Sequence, residues 1–246
     1  MSTSFQRAED VEVEEALRFL LPFLGGARRV LDVGCGNGLL SRRLLGRGFD
    51  VTALDRSLRR TERTEGLRLL EADFLGFEDA PYDALVFSAS LHHLFPLEAA
   101  LARADGLLRP GGLLLVSDFD LEAPDEATAR FYYDMEGLLL AAGLYRPEKV
   151  GRPETRDALR RWHEEHEDTP PFHTGTAMHE AVARRFELLG RGQGPYLYRY
   201  VVSGLVPSPH GPSIAAWALG TEKQHLADGV LKPVGLLLWA RKAEGR

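Results

Sequence analysis

The amino-acid sequence predicts an α/β fold, a doubly wound and mostly parallel sheet of seven strands with an antiparallel final strand and a helical insertion or lid. Three observations carry the prediction: short apolar runs alternate with helically spaced segments through residue 120, a glycine-rich turn follows the first run, and two more strand-like stretches lie near the C-terminus.

Taken in order, Val11, Val13, Ala16, Leu17, Leu20, Leu21 and Leu24 fall on one helical face, which Gly25 and Gly26 terminate. Arg28 to Val33 is a short strand running into glycines, and Leu39 to Leu45 has helical spacing that stops at Gly46 or Gly48. The unit repeats as strand Asp50 to Leu54 with a helix from about Ser57, then strand Leu67 to Glu71, then strand Asp83 to Phe87 with a helix over Leu97 to Leu108. Leu113 to Val116, after Pro110-Gly111-Gly112, is a fifth strand. Parallel neighbours need crossovers, and right-handed crossovers place helices on both faces.

Beyond Phe119, Asp125 to Gly143 predicts a helix, and Pro147 to about Thr176 mixes prolines, charges and short helical pieces. Met178 to Leu189 is helical, Tyr196 to Val202 alternates aromatic and polar residues like a strand, and Val234 to Arg241 is an apolar final strand. The last two are expected to form a hairpin-like pair at the sheet's far edge. Pro207 to Lys232, rich in Pro and Gly, is an active-site loop or a mobile excursion. The expected organisation is one domain over 1–246: a nucleotide-binding half in 1–120, a helical insertion or lid in 121–190, and closing strands in 191–246.

Hydrophobic residues at 44% and charged residues at 27% fit a soluble protein. The net charge of −6 disfavours a nucleic-acid partner. Apolar runs are too short to span a membrane, and the acidic N-terminus is unlike a signal peptide. The single cysteine, Cys35, has no partner within the chain, which suits a reducing, cytoplasmic setting.

Asp32-Val33-Gly34-Cys35-Gly36-Asn37-Gly38 lies where the first strand gives way to a helix. Glycines there permit positive φ and let the main chain approach a ligand, while the helix start offers N–H groups. The third glycine of a dinucleotide fingerprint would stand one position later than Gly38, which disfavours NAD. At the end of the second strand, Asp55 can accept hydrogen bonds from both hydroxyls of an adenosine ribose; otherwise it caps the following helix.

The run Val30 to Gly38 resembles the first motif of class I S-adenosylmethionine-dependent methyltransferases, in particular the small-molecule, type 11/12-like branch with its Rossmann-like sheet. Three more stretches resemble that family in order: Glu71-Ala72-Asp73-Phe74, Tyr82 to Leu94, and Leu107 to Leu114. The resemblance covers roughly residues 15–120 and almost vanishes between 121 and 190. It implies S-adenosylmethionine as cofactor and a small-molecule acceptor. Asp32 would orient the turn and the methionine amino end, Gly34, Gly36 and Gly38 would admit the cofactor, and Asp55 would hold the ribose. Asp73 and Phe74 would take the adenine, and Ser88 on the fourth-strand motif would join the cofactor site.

Methyl transfer from a sulfonium is an in-line displacement, so the protein chiefly aligns the reactants and, where needed, removes a proton. His92 and His93 follow the fourth strand and are the candidate catalytic residues; packing or capping is the alternative. Phe131, Tyr132, Tyr133 and Met135, like Tyr196, Tyr198 and Tyr200, line a pocket or fill the core. His163 to Glu167 lacks the spacing of a zinc-protease helix and is expected to be a solvated charged helix, so no metal is expected. Cys35 needs only to be small. A non-catalytic binding module stays open, as does RNA or protein methylation through Arg146, Lys149, Arg152, Arg156, Arg160 and Arg161. The sequence leaves the oligomeric state unread.

Overall fold

The computed structural model describes residues 5–58, 61–150, 157–167 and 172–244. Arg152 and Arg156 lie outside the described residues. The chain forms two compact units. One comprises Glu15–Phe119, His173–Gly192 and Leu236–Arg246; the other comprises Met1–Glu14, Asp120–Phe172 and Gln193–Gly235.

The first unit holds a sheet of seven strands, β1 (Arg29–Val33), β2 (Asp50–Asp55), β3 (Arg68–Glu71), β4 (Tyr82–Ser88), β5 (Leu108–Phe119), β6 (Glu187–Gly194) and β7 (Gly235–Arg241). Their order is β3-β2-β1-β4-β5-β7-β6. β1 to β5 pair in parallel, with Val33 opposite both Leu54 and Phe87. β7 runs antiparallel to β5, since Lys242 exchanges backbone hydrogen bonds with Gly111 and Gly112 while the Val234 carbonyl accepts from Asp120. Leu31, Leu85 and Leu114 on neighbouring strands are fully buried, as parallel sheets covered on both faces require. At the sheet's lower end the Asp83 carboxylate accepts from the Arg28 and Arg29 amides at 2.7 Å and pairs with Arg109.

Helices α1 (Glu9–Leu24), α2 (Leu39–Leu45), α3 (Leu97–Leu107) and α6 (Gly175–Arg185) follow the expected apolar faces. Two expectations need correction here. No helix forms near Ser57 among the described residues; instead the Asp55 carboxylate accepts from the Ser57 amide at 3.0 Å in a local turn. The helix expected over Met178 to Leu189 ends at Arg185, and Glu187–Gly194 is the sixth strand. Its glycines accommodate Trp239 on β7: a Cβ on Gly190 would lie 2.3 Å from a ring carbon.

The second unit contains α4 (Glu126–Ala141), α5 (Ala158–Glu165), α7 (Leu197–Gly204) and α8 (Gly211–Ala227). The stretch expected as a strand over Tyr196 to Val202 is helical because Glu222, buried on α8, supplies its cap: its carboxylate accepts from the Tyr196, Leu197 and Tyr198 amides at 2.7–2.9 Å. The sheet's far edge is nonetheless an antiparallel pair, made by β6 with β7. The segment expected as a loop over Pro207 to Lys232 is largely α8. Nor is α5 a solvated helix, because Trp162 is fully buried and Arg161 pairs with buried Glu136 at 2.6 Å. Tyr132, Tyr196 and Tyr198 are core residues. Met135 is buried as well, and it also joins Leu138, Val201, Ile214 and Trp217 around an open apolar groove. Among the described residues no helix is long and apolar enough to cross a membrane.

Candidate active site

In the sheet unit, a cleft of ≈ 240 Å³ opens at the carboxyl ends of β1, β2 and β4. Ligands of open α/β sheets bind at such strand ends because the turns there present backbone N–H groups and end-of-strand side chains. Gly34, Asp55, Phe74, Ser90, His93 and Leu94 are among the residues that line it.

The turn after β1 is shaped by three positive-φ glycines, Gly34 (72°), Gly36 (56°) and Gly38 (70°). At Gly34 the absence of a side chain is obligatory twice over, since a Cβ would also lie 2.6 Å from the Ser90 Cβ. Gly36 faces open space. Gly38 caps α2 in the left-handed conformation, and a Cβ there would meet the Thr61 methyl at 2.7 Å. The Thr61 hydroxyl in turn donates to the Gly36 carbonyl at 2.7 Å.

Asp32 sits beneath this turn, buried, and accepts from the Ser41 hydroxyl at 2.5 Å. Burial pushes its carboxyl up to about 6; the Ser41 hydrogen bond opposes the shift and the nearby Asp55 charge adds to it. The half-buried Asp55 carboxylate accepts from the Gly36 amide at 2.8 Å. Cys35 has its thiol pushed up to about 12, chiefly by burial and then by the charges of Asp32 and Asp55. It is unsuited to nucleophilic work.

After β3, Asp73 is exposed and caps a short 3₁₀ turn, accepting from the Leu75 amide at 3.3 Å, with the Arg56 guanidinium 3.5 Å away. Phe74 is both wall and core, lining the cleft while meeting Phe87 edge-on at 5.5 Å. Ser88, at the end of β4, is partly buried, and the next two residues, Ala89 and Ser90, line the cleft. Ala89 holds a positive φ of 54°, and the Ser90 hydroxyl donates to the Val33 carbonyl at 2.6 Å.

The two histidines divide. His93 is exposed and lines the cleft, whereas His92 is buried with its Nδ1 2.7 Å from Asp118 Oδ1. Their rings are 3.9 Å apart between centroids. Asp118, Ser90, Thr61 and Arg56 are site residues that sequence reasoning missed. Asp118 lies inside the apolar run of β5, where no motif marks it; Ser90 was legible as a hydroxyl two residues after Ser88. His173 approaches the same turn, its amide donating to the His92 carbonyl at 3.1 Å and its Nε2 lying 3.0 Å from the Leu94 carbonyl. His179 and the other described histidines are not in the cleft lining.

Of the basic residues considered for a polyanion surface, Arg160 pairs with Glu164 at 2.7 Å and Arg161 with Glu136 and Glu165.

Comparison with known proteins matches residues 5–184 to a methyltransferase domain family. An uncharacterized methyltransferase of Mycobacterium tuberculosis is 44% identical over 102 residues, covering 38% of this chain and 52% of its own. A ubiquinone biosynthesis O-methyltransferase of Xylella fastidiosa is 41% identical over 105 residues, covering 38% of this chain and 42% of its own. The chain thus matches about half the length of these curated relatives. Among solved structures, the N-methyltransferase NodS from Bradyrhizobium japonicum, in complex with S-adenosyl-l-homocysteine, superposes with a TM-score of 0.52 at 16% identity, covering 96% of this chain and 88% of its own. That likeness is one of fold.

Proposed function

Because the chain belongs to this methyltransferase domain family, matched over residues 5–184, we propose that it transfers a methyl group from S-adenosylmethionine to a small-molecule acceptor. The observation that carries the reading is the convergence of Gly34, Asp55, Phe74 and His93 on one cleft at the ends of three parallel strands.

The residues present fit such a donor. Gly34 lines the cleft where its lack of a side chain lets Ser90 pack against the turn, Gly36 leaves the approach to the turn open, and Asp55 offers a carboxylate at the cleft wall. Asp55 would hold the ribose hydroxyls, the Gly34–Gly38 turn would meet the methionine end over Asp32, and Phe74 and Asp73 would take the adenine. Asp32 serves from below, through the turn, as its burial dictates. Bound there, the cofactor supplies a sulfonium methyl, an electrophile that needs no further activation. The chain's own task is alignment of the acceptor and, where the acceptor carries a proton, its removal. His93, exposed at the cleft, is the candidate for that proton, and His92 supports it.

Titration calorimetry of the purified protein tests the donor half: S-adenosylmethionine and S-adenosylhomocysteine are both expected to bind. Absence of binding by either sinks the reading. The departure of the third glycine from the dinucleotide pattern predicts that NAD(H) does not bind.

A further inference from the structure

One fully buried carboxylate organises the turn that carries both histidines. Asp118 Oδ2 accepts from the Leu91 amide at 3.0 Å and the His92 amide at 3.3 Å. Its Oδ1 accepts from the Phe119 amide at 3.0 Å and faces His92 Nδ1 at 2.7 Å. Both carboxylate oxygens are therefore acceptors, which assigns a ring proton to Nδ1. The same turn places Ser90, His93 and Leu94 on the cleft wall. His92 is wedged between Asp118 on one side and two rings on the other, His93 at 3.9 Å and Phe119 edge-on at 4.8 Å.

We propose that Asp118 is a positioning residue of the cleft: it fixes the His92 tautomer and holds the turn from Ser90 to Leu94 in the shape that brings His93 to the ligand. The part of this that concerns ligand binding rests on the methyl-donor reading above. A buried carboxylate is costly unless its lone pairs are filled, and here donors from two segments fill them, so the end of β5 and the turn after β4 are locked together. A group that only stabilised the fold would not need a ring tautomer; this one sets it.

The test combines nitrogen NMR of the imidazole rings with calorimetry of S-adenosylhomocysteine. In the unsubstituted protein the His92 ring is expected as the Nδ1–H tautomer. In Asp118→Asn the amide oxygen keeps the two bonds from Leu91 and His92, which turns the new NH2 toward Nδ1 at the expense of the Phe119 bond, so the ring proton moves to Nε2 and affinity falls about tenfold through misplacement of the cleft wall. A His92 tautomer that stays put, or an unchanged affinity, overturns the proposal. Should that variant fail to fold, His92→Asn and His92→Phe decide instead. Asparagine keeps an N–H near the position of Nδ1 and is expected to retain binding, whereas phenylalanine is expected to lose it. Equal loss in both overturns the assignment. If the unsubstituted protein binds no S-adenosylhomocysteine, the donor reading falls, while the tautomer, read without ligand, still decides the role of Asp118.

Discussion

The Asp55 carboxylate accepts a hydrogen bond from the Gly36 amide at 2.8 Å, joining the end of the second strand to the turn after the first. The acid therefore holds the turn while also lining the cleft. Asp55→Ala is expected to reduce S-adenosylhomocysteine affinity at least tenfold, roughly 1.4 kcal/mol or more. It should cost only about 1 kcal/mol in stability, since its hydrogen bonds are partly solvated. Calorimetry and urea unfolding read the two effects separately; unchanged affinity would count against the ribose role.

Two neighbouring glycines should respond differently to the same methyl group. Gly34→Ala meets Ser90 and a positive φ together, for about 2–4 kcal/mol, and pushes Ser90 out of the cleft wall. Gly36→Ala meets only the positive φ, for about 1 kcal/mol. Paired denaturation curves check the order, and equal costs would refute the Ser90 contact as its source.

Asp32 gives a pH signature with a definite sign. Its carboxyl is raised from 3.8 to about 6 in the folded chain, so the folded state binds more protons than the unfolded state between those values. Its contribution is complete below the unfolded value and is lost as pH rises through about 6, a change of about 3 kcal/mol. The stability difference between the unsubstituted protein and Asp32→Asn should therefore fall by about that amount from acid to neutral pH. Denaturant titrations across this range measure it. A flat difference would show that Asp32 ionises normally.

Glu222 is the cap of a helix in which it does not lie. Glu222→Ala leaves the amides of Tyr196, Leu197 and Tyr198 without their acceptor, at a cost of about 3 kcal/mol or more. Unfolding midpoints and amide exchange over Leu197–Gly204 report the loss. Protection of those amides equal to that of the unsubstituted protein would overturn the capping role.

The parallel half was legible because its strands are continuous apolar runs punctuated by glycine, and the packing of a doubly wound sheet demands that pattern. The rest depended on partners distant in sequence. Tyr196, Tyr198 and Tyr200 alternate like a strand, yet Glu222 makes the segment helical from another helix. Glu187 to Leu189 continue the helical spacing begun at Met178, yet Glu187–Gly194 is a strand, with Gly190 leaving the room that Trp239 requires. The charged run around Trp162 conceals a buried face whose arginine is neutralised by Glu136 on α4. At the site, the glycine turn and Asp55 announced themselves by spacing, whereas Asp118 works by filling hydrogen bonds, a property no local pattern displays.

The chain has one sulfhydryl, and it stands in the turn that builds the cleft. With its thiol raised to about 12, Cys35 carries almost no thiolate at neutral pH. Alkylating agents and peroxide, which attack the anion, should find this sulfur silent until the chain unfolds. Ellman's reagent would then report unfolding of the turn with no background from the native state, making Cys35 a built-in probe of the cleft's integrity.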